Sequence, residues 1–274
     1  MSQNIAQTAK GPIEYRLEGS GPTIVVLNGG HCSRETRLSH EKLAERGFSV
    51  LTPSRPGYDS TPSDVGKSAQ AAADALSALL DALQIPTVDV IGISAAGPTA
   101  LAFAQQHSSR VRKLILESAV TTDWDEQTKR RSRIGFGRVA KVTWAIMHGM
   151  LKLFPMMIIK TLLHDLTVLD VNMVIKRMSS DDLAFIKRML QTSQASTGFL
   201  NDLEHKVDHL ATITKPVLVM YSPNDATVSP KNARRIASEI ATSELYEVPS
   251  DTHLIWIGNS AQDVWQKRLS FLLS

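Results

Sequence analysis

A serine placed where a strand-like run meets a helical pattern is the first feature that could do chemistry. Residues 88–97 read VDVIGISAAG, and Ser94 stands at the junction. A serine on so sharp a turn, a nucleophile elbow, needs small residues two positions to either side, and Gly92 and Ala96 are both small. Ala96 departs from the usual G-x-S-x-G pattern by a methyl group, with Gly97 directly after it. The pattern predicts Ser94 as a nucleophile; a purely structural strand-to-helix loop is the alternative.

An acid and a histidine follow this serine in the chain order that such an elbow requires. A hydroxyl is a poor nucleophile until a neutral imidazole accepts its proton, and a carboxylate holds that imidazole in the correct tautomer. Asp225 follows the predicted strand 216–221, and His253 follows the predicted strand 244–248. Ligands bind at the carboxyl ends of parallel strands. We therefore predict Asp225 as the orienting acid and His253 as the general base.

Two other carboxylates compete with Asp225 for the role of the acid. Asp251 lies only two residues before His253, and Glu117 ends the predicted strand 111–116. The expected order, in which the acid follows one later strand and the histidine another, favours Asp225.

A glycine turn after another predicted strand offers backbone donors. Residues 27–31 read LNGGH, so free N–H groups could face an oxygen that becomes negative in the transition state. We predict that the N–H groups of Gly30 and Ala95 form this oxyanion hole. An ordinary glycine turn is the alternative.

Three side chains are candidate substrate contacts. His31 follows the glycine turn, and Met147 and Met150 belong to a methionine-rich stretch whose flexible side chains could line a pocket. Packing alone would explain each of them equally well.

Other reactive side chains fit a structural role better. Cys32 adjoins the glycine turn, but a lone cysteine without a motif is typically a small buried hydrophobe. His205 and His209 lie four residues apart on a predicted helix and could share a metal ion, yet the H-E-x-x-H glutamate is absent and no third ligand is evident. We predict neither a metal nor a cofactor.

The elements that must position these residues alternate between strands and helices, a pattern typical of a mostly parallel sheet with helices on both faces. The predicted strands are 13–17, 23–27, 49–52, 88–91, 111–116, 216–221 and 244–248. The predicted helices are 36–46, 68–83, 229–240 and 261–273. The turn 18–22, EGSGP, suits a hairpin between the first two strands.

Residues 123–205 interrupt this alternation with successive helical patterns and hold seven of the nine methionines. We predict that they form an inserted helical cap, and that residues 1–122 and 206–274 form the core domain. Within the cap, residues 127–164 contain eight Lys or Arg and no acid. This segment could face an anionic surface or an acidic partner; a solvated helix face is the alternative.

Composition excludes several classes of protein. Apolar residues make up 43% of the 274 and charged residues 21%, which excludes a disordered or fibrous chain. The net charge is only +3 and is concentrated in the cap, so we predict no nucleic-acid partner. No run approaches the length of a transmembrane helix. One cysteine and the absence of an apolar leader lead us to expect a cytoplasmic location.

Together these residues resemble the α/β-hydrolase family. The order of Ser94, Asp225 and His253 matches it, the segment 54–60, SRPGYDS, resembles its R-P-G-Y-G-x-S loop, and the segment 225–228, DATV, resembles its D-x-x-V segment. The resemblance covers nearly the whole chain except the cap and implies the α/β-hydrolase fold. The family often has His-Gly where this chain has Asn28 followed by glycine. The serine nucleophile argues against relatives that use an aspartate, and the H-G-G-P-G of proline iminopeptidases is not reproduced.

We therefore expect a serine hydrolase that cleaves a small to medium, moderately hydrophobic carboxylic ester through an acyl-enzyme. Hydrolysis of a lactone, of an amide or peptide, or of a carbon–carbon bond beside a ketone remains open, as does perhydrolysis without a cofactor, because a fold does not choose its substrate. A weakly catalytic ligand-binding or interaction protein on the same fold is the alternative of a different class.

Overall fold

An eight-stranded, mostly parallel sheet forms the centre of the computed structural model, which describes residues 4–136, 140–194 and 197–274. Its strands are β1 (Asn4–Thr8), β2 (Gly11–Gly19), β3 (Thr23–Leu27), β4 (Ser49–Pro53), β5 (Val88–Ile93), β6 (Val111–Glu117), β7 (Val217–Tyr221) and β8 (Ser243–Glu247). The spatial order is β1-β2-β4-β3-β5-β6-β7-β8. β2 runs antiparallel to both β1 and β4, and all the other neighbouring pairs are parallel.

The central strands are the apolar runs of the sequence. Every residue of β3 and β5 is buried, as expected for parallel strands that are covered by helices on both faces. The ends of β3 and β5 lie side by side, since Leu27 pairs with Gly92. This register brings the glycine turn after β3 next to the turn after β5.

Helices cover the sheet and fill the interval between β6 and β7. They are α1 (Ala69–Ala82), α2 (Gly97–Gln106), α3 (Glu126–Phe136), α4 (Ala140–Leu153), α5 (Pro155–Leu166), α6 (Val171–Arg177), α7 (Ser180–Thr192), α8 (Gly198–Asp202), α9 (Lys231–Glu239) and α10 (Ala261–Leu273). Ser68 caps α1 by accepting a hydrogen bond from the backbone of Ala71. None of these helices, over the described ranges, is long and apolar enough to cross a membrane.

Six of the helices, α3 to α8, follow β6 and precede β7, where the sequence predicts the cap. Their apolar faces join the core on one side of the sheet: Leu151, Ile159, Leu163 and Ile186 pack in the same buried cluster as residues of β3, β5 and β6. The domain boundaries at 123 and 205 remain a prediction.

Two expectations about local structure are wrong. The turn 18–22 does not close a hairpin, because β4 lies between β2 and β3 and pairs with both. The predicted helix 36–46 is a short 3₁₀ helix, His40–Arg46, preceded by Ser39 at φ 76°. β1 was not predicted from the sequence.

Candidate active site

Ser94 lies at the tip of a strained turn between β5 and α2. Its φ of 49° is a left-handed conformation that few residues other than glycine adopt. Close packing explains the small neighbours: a Cβ on Gly92 would lie 2.5 Å from that of Ala100, and a Cβ on Gly97 would overlap the carbonyl oxygen of Val120. Gly97, one position later than the usual motif predicts, is therefore the glycine that this turn requires, and Ala96 fits.

Asp225 and His253 meet beyond the ends of β7 and β8. The Nδ1 atom of His253 lies 2.6 Å from Oδ2 of Asp225, and both side chains are buried. The other carboxylate oxygen of Asp225 accepts hydrogen bonds from the backbone N–H groups of Thr227, at 2.9 Å, and Val228, at 2.8 Å. Because both carboxylate oxygens of Asp225 form hydrogen bonds, the carboxylate holds the imidazole of His253 in one orientation. Nε2 of His253 is then available to accept a proton.

A cavity of about 440 Å³ joins these residues, since Ser94 and His253 both line it. Gly29, Gly30 and Ala95 line the same cavity. The three elements that the sequence predicted to converge, namely the elbow, the histidine loop and the glycine turn, therefore surround one space.

A buried ion pair supports the glycine turn from behind. One guanidinium nitrogen of Arg55 donates to the carbonyl of Gly29 at 2.9 Å, and another donates to Asp202 at 2.5 Å. Tyr58 donates its hydroxyl to the second oxygen of Asp202 at 2.6 Å. Burial alone would lower the pKa of Arg55, but the Asp202 carboxylate outweighs it and raises that pKa above its ordinary range. The carbonyl of Gly29 in the glycine turn is thus held by a charged side chain inside the protein.

Gly29 approaches Ser94 so closely that a methyl group should disturb the elbow. A Cβ on Gly29 would lie 2.9 Å from the Cβ of Ser94. We expect Gly29→Ala to lower kcat/KM for the reaction predicted at Ser94 by about 10- to 100-fold, because displacement of a reacting group by about 1 Å has that effect. Gly149→Ala in α4 is the matched control, since a Cβ there meets nothing within 4 Å. It should leave kcat/KM unchanged; equal losses in the two variants would show that Gly29 has no special relation to Ser94.

The cavity wall is mainly apolar and aromatic. His31 packs against the rings of Phe199, with centroids 3.9 Å apart, and Phe136, at 4.3 Å. Burial lowers the pKa of His31 to about 3, and the nearby charge of Arg55 acts in the same direction. His31 is therefore neutral near pH 7. Met147 also lines the cavity, whereas Met150 is not among its lining residues.

Both rival carboxylates have other partners. Glu117 is fully buried and accepts a hydrogen bond from Arg268 at 2.7 Å and one from Trp256; it also lies 2.9 Å from Nε2 of His40. Burial raises the pKa of Glu117, but the charge of Arg268 and the hydrogen bonds from His40 and Arg268 outweigh burial and hold that pKa well below its usual range. Asp251 forms an ion pair with Arg177 at 3.2 Å.

The remaining reactive side chains lie as follows. Cys32 lines the cavity, and burial raises the pKa of its thiol to about 11, which disfavours the nucleophilic thiolate. His205 is buried and His209 is exposed, and the two lie in an irregular segment after α8, so the predicted shared helix is wrong. The part of the chain that the structure describes contains no group of three potential metal ligands.

A positioning element that sequence reasoning missed is residues 165–168, the last two residues of α5 and the two that follow it. It bonds to the acid loop through Asp165 O, which accepts from Thr227 Oγ1 at 2.7 Å, and Val168 N, which donates to Asn224 O at 3.0 Å. It bonds to the histidine loop through Leu166 O, which accepts from His253 N at 2.9 Å, and Thr167 Oγ1, which donates to Asp251 O at 2.5 Å. No local motif indicates these contacts, because most of them use backbone atoms.

Comparison with known proteins identifies the family. A family model described as the alpha/beta hydrolase fold matches residues 22–259. The chain belongs to the α/β hydrolase fold family. The predicted family and fold class are thereby confirmed.

Three proteins similar to this α/β hydrolase match it over nearly their full length. It is 33% identical over 272 residues to an uncharacterized hydrolase, YcgS, of Bacillus subtilis (strain 168), with 96% of each chain covered. It is 25% identical over 280 residues to pyrrolizixenacetamide deacetylase of Xenorhabdus hominickii, covering 99% of this chain and 98% of that one. An alpha/beta hydrolase fold protein from Nakamurella multipartita superposes with a TM-score of 0.85 at 25% identity, with 97% of each chain covered.

Proposed function

We propose that this α/β hydrolase is a serine hydrolase that cleaves neutral, moderately hydrophobic carboxylic esters through an acyl-enzyme. The observation that carries the proposal is the shared cavity: Ser94 on its strained turn and the Asp225-paired His253 both line one apolar space. Strain of this kind clusters at functional sites.

The proposed mechanism begins when Oγ of Ser94 attacks the ester carbonyl carbon while Nε2 of His253 accepts the hydroxyl proton. The carbonyl oxygen becomes negative, and the N–H groups of Gly30 and Ala95 stabilise it. When the carbonyl re-forms, the bond between the carbonyl carbon and the alcohol oxygen breaks. The alcohol oxygen receives the proton from His253. Water then attacks the acyl-enzyme by the same sequence, with His253 again the base, and releases the carboxylic acid and free Ser94.

Asp225 acts through His253. Its carboxylate holds Nδ1–H and stabilises the imidazolium that forms in each step. The two backbone bonds to its other oxygen hold the carboxylate itself in place.

The cavity wall disfavours a negatively charged substrate, and the acid Asp165 is among its lining residues. Of the described residues that line it, none is Lys or Arg, and His31 is uncharged near pH 7. A carboxylate on the substrate would lose its hydration there without gaining a cationic partner. The aromatic rings of Phe136, Trp144 and Phe199 supply apolar area for an acyl or alcohol group.

An amide is the second candidate substrate class, favoured by the full-length similarity to a deacetylase. The same serine and histidine would cleave it, but the leaving amine must be protonated as the bond breaks, which places a greater demand on His253 as a general acid.

Two measurements together test the proposal. Intact mass after exposure to a fluorophosphonate probe, with the modified peptide mapped, should show a single adduct on Ser94. Rates should then be compared for p-nitrophenyl butyrate, p-nitrobutyranilide and p-nitrophenyl hemisuccinate. We expect the neutral ester to be fastest and the hemisuccinate, which carries a carboxylate, to be poorly cleaved. A faster anilide would favour the amide candidate, and a folded protein without an adduct would favour a binding protein.

A further inference from the structure

The outer surface of α4 and α5 is unusually apolar for a surface in contact with water. Nine of the thirteen large hydrophobic side chains exposed in the described ranges belong to residues 134–173. Val142 and Ile146 stand four residues apart on α4, and Leu153 follows at the spacing that keeps it on the same face. With Phe154 at the corner between α4 and α5, these side chains are between 57% and 74% exposed. We call these four residues the outer apolar stripe.

Three exposed lysines on the same two helices lack carboxylate partners. Lys141 and Lys152 lie on α4 and Lys160 lies on α5, and all three are exposed. No ion pair among the described residues includes any of them, and residues 127–164 contain no acid. No acidic side chain of residues 127–164 therefore neutralises the positive charge of these lysines. An apolar helix face accompanied by lysines is the arrangement of helices that lie in the interface of an anionic membrane.

We propose that the outer apolar stripe and its three lysines form a docking surface for an anionic lipid bilayer. The apolar side chains would enter the headgroup boundary, and the lysines would pair with lipid phosphates. A second copy of this chain fits less well, because a symmetric contact would bring the three lysines of both copies into one interface. This binding does not depend on the proposed chemistry.

The surface also lies on the helices that enclose the cavity. Trp144 and Met147 of α4 and Ile158 and Leu162 of α5 line it from the inner side. A bilayer docked on the outer side would lie within about one helix diameter, roughly 10 Å, of the cavity wall. An apolar substrate dissolved in lipid would thus be concentrated beside Ser94, a consequence that does rest on the proposed function.

Cosedimentation of the protein with lipid vesicles tests the surface directly. We expect binding to vesicles of equal parts phosphatidylcholine and phosphatidylglycerol, much weaker binding to phosphatidylcholine alone, and loss of binding at high salt. The triple variant Lys141→Gln, Lys152→Gln, Lys160→Gln should bind about 100-fold more weakly, since each lysine near such a surface contributes a factor of about 5. The double variant Leu153→Ser, Phe154→Ser should also lose binding.

A charge-matched control separates the surface from net charge. Lys67→Gln, Lys187→Gln and Lys231→Gln remove the same charge from exposed sites outside α4 and α5 and should leave binding within about 2-fold. Equal losses in the two triple variants would overturn the proposal, as would the absence of binding to anionic vesicles. A dimer in analytical ultracentrifugation that Leu153→Ser, Phe154→Ser abolishes, without any vesicle binding, would instead assign the face to a second copy. Circular dichroism of every variant checks the fold, and none of the replaced side chains is buried.

Discussion

Ser94→Ala should lower kcat/KM for p-nitrophenyl butyrate by a factor of about 10⁴ or more, because removal of a nucleophile leaves only the binding and oxyanion contributions. Alanine keeps the Cβ of serine, so it adds no new strain at the positive φ. Steady-state kinetics and fluorophosphonate labelling measure the loss, and the adduct should disappear with the activity. The variant should unfold at nearly the same urea concentration as the wild type.

Ser193→Ala is the matched control for this experiment. Ser193 lines the same cavity, but its hydroxyl donates to the carbonyl of Met189 at 2.9 Å. Its loss should change kcat/KM by less than a factor of about 10. A further check compares Ser94→Ala, His253→Ala and the double variant. The effects of residues that act as a unit on kcat/KM do not add, so the double variant should be hardly slower than either single variant. Additive losses, or residual labelling of Ser94→Ala, would contradict the assignment of the nucleophile.

Asp202→Ala should cost about 3–5 kcal/mol in the free energy of unfolding, because it leaves the buried charge of Arg55 without its partner. Both members of the pair are buried, and Tyr58 would lose its acceptor as well. Urea unfolding followed by circular dichroism measures the change. Arg55 also donates to the carbonyl of Gly29. Even at a low temperature, at which the variant is folded, Asp202→Ala should therefore show a lower kcat/KM than the wild type.

Asp81→Ala provides the surface comparison. Asp81 is 67% exposed and pairs with Arg110 at 2.6 Å, and pairs of this kind contribute about 0–1 kcal/mol. A similar loss of unfolding free energy in Asp202→Ala and Asp81→Ala would show that burial does not make the ion pair of Arg55 with Asp202 more stabilising than a surface pair. Activity that stays unchanged in Asp202→Ala would show that the glycine turn is held by other contacts.

The sequence predicted best the elements whose own residues determine them. Strand 23–27 and helix 261–273 have the predicted bounds. An uninterrupted apolar run suits a strand that is covered on both faces. A long amphipathic pattern specifies a helix without contacts from residues far away in the sequence. The elbow at Ser94 was also readable, since small residues beside a serine are a local steric requirement.

Features that depend on distant partners could not be read in this way. Glu117 ends its strand as a catalytic acid would, and only its contact with Arg268, 151 residues later, reveals an internal ion pair. The wrong prediction of a hairpin at 18–22 has the same cause. The turn itself suits a hairpin, but β4, which follows later in the chain, pairs with both β2 and β3. Among the candidate methionines, only the packing of α4 separates Met147, which lines the cavity, from Met150.

The hydrogen bonds of residues 165–168 limit how freely the segment between β6 and β7 could be replaced by recombination. A transplanted insertion that kept its own geometry here would withdraw hydrogen bonds from the backbone of His253 and from Thr227, next to the aspartate. Such a chimera could fold, bind its new substrate and still turn it over slowly. Evolution or engineering of new specificity in this scaffold should therefore vary α3 and α4 more readily than the junction of α5 with α6.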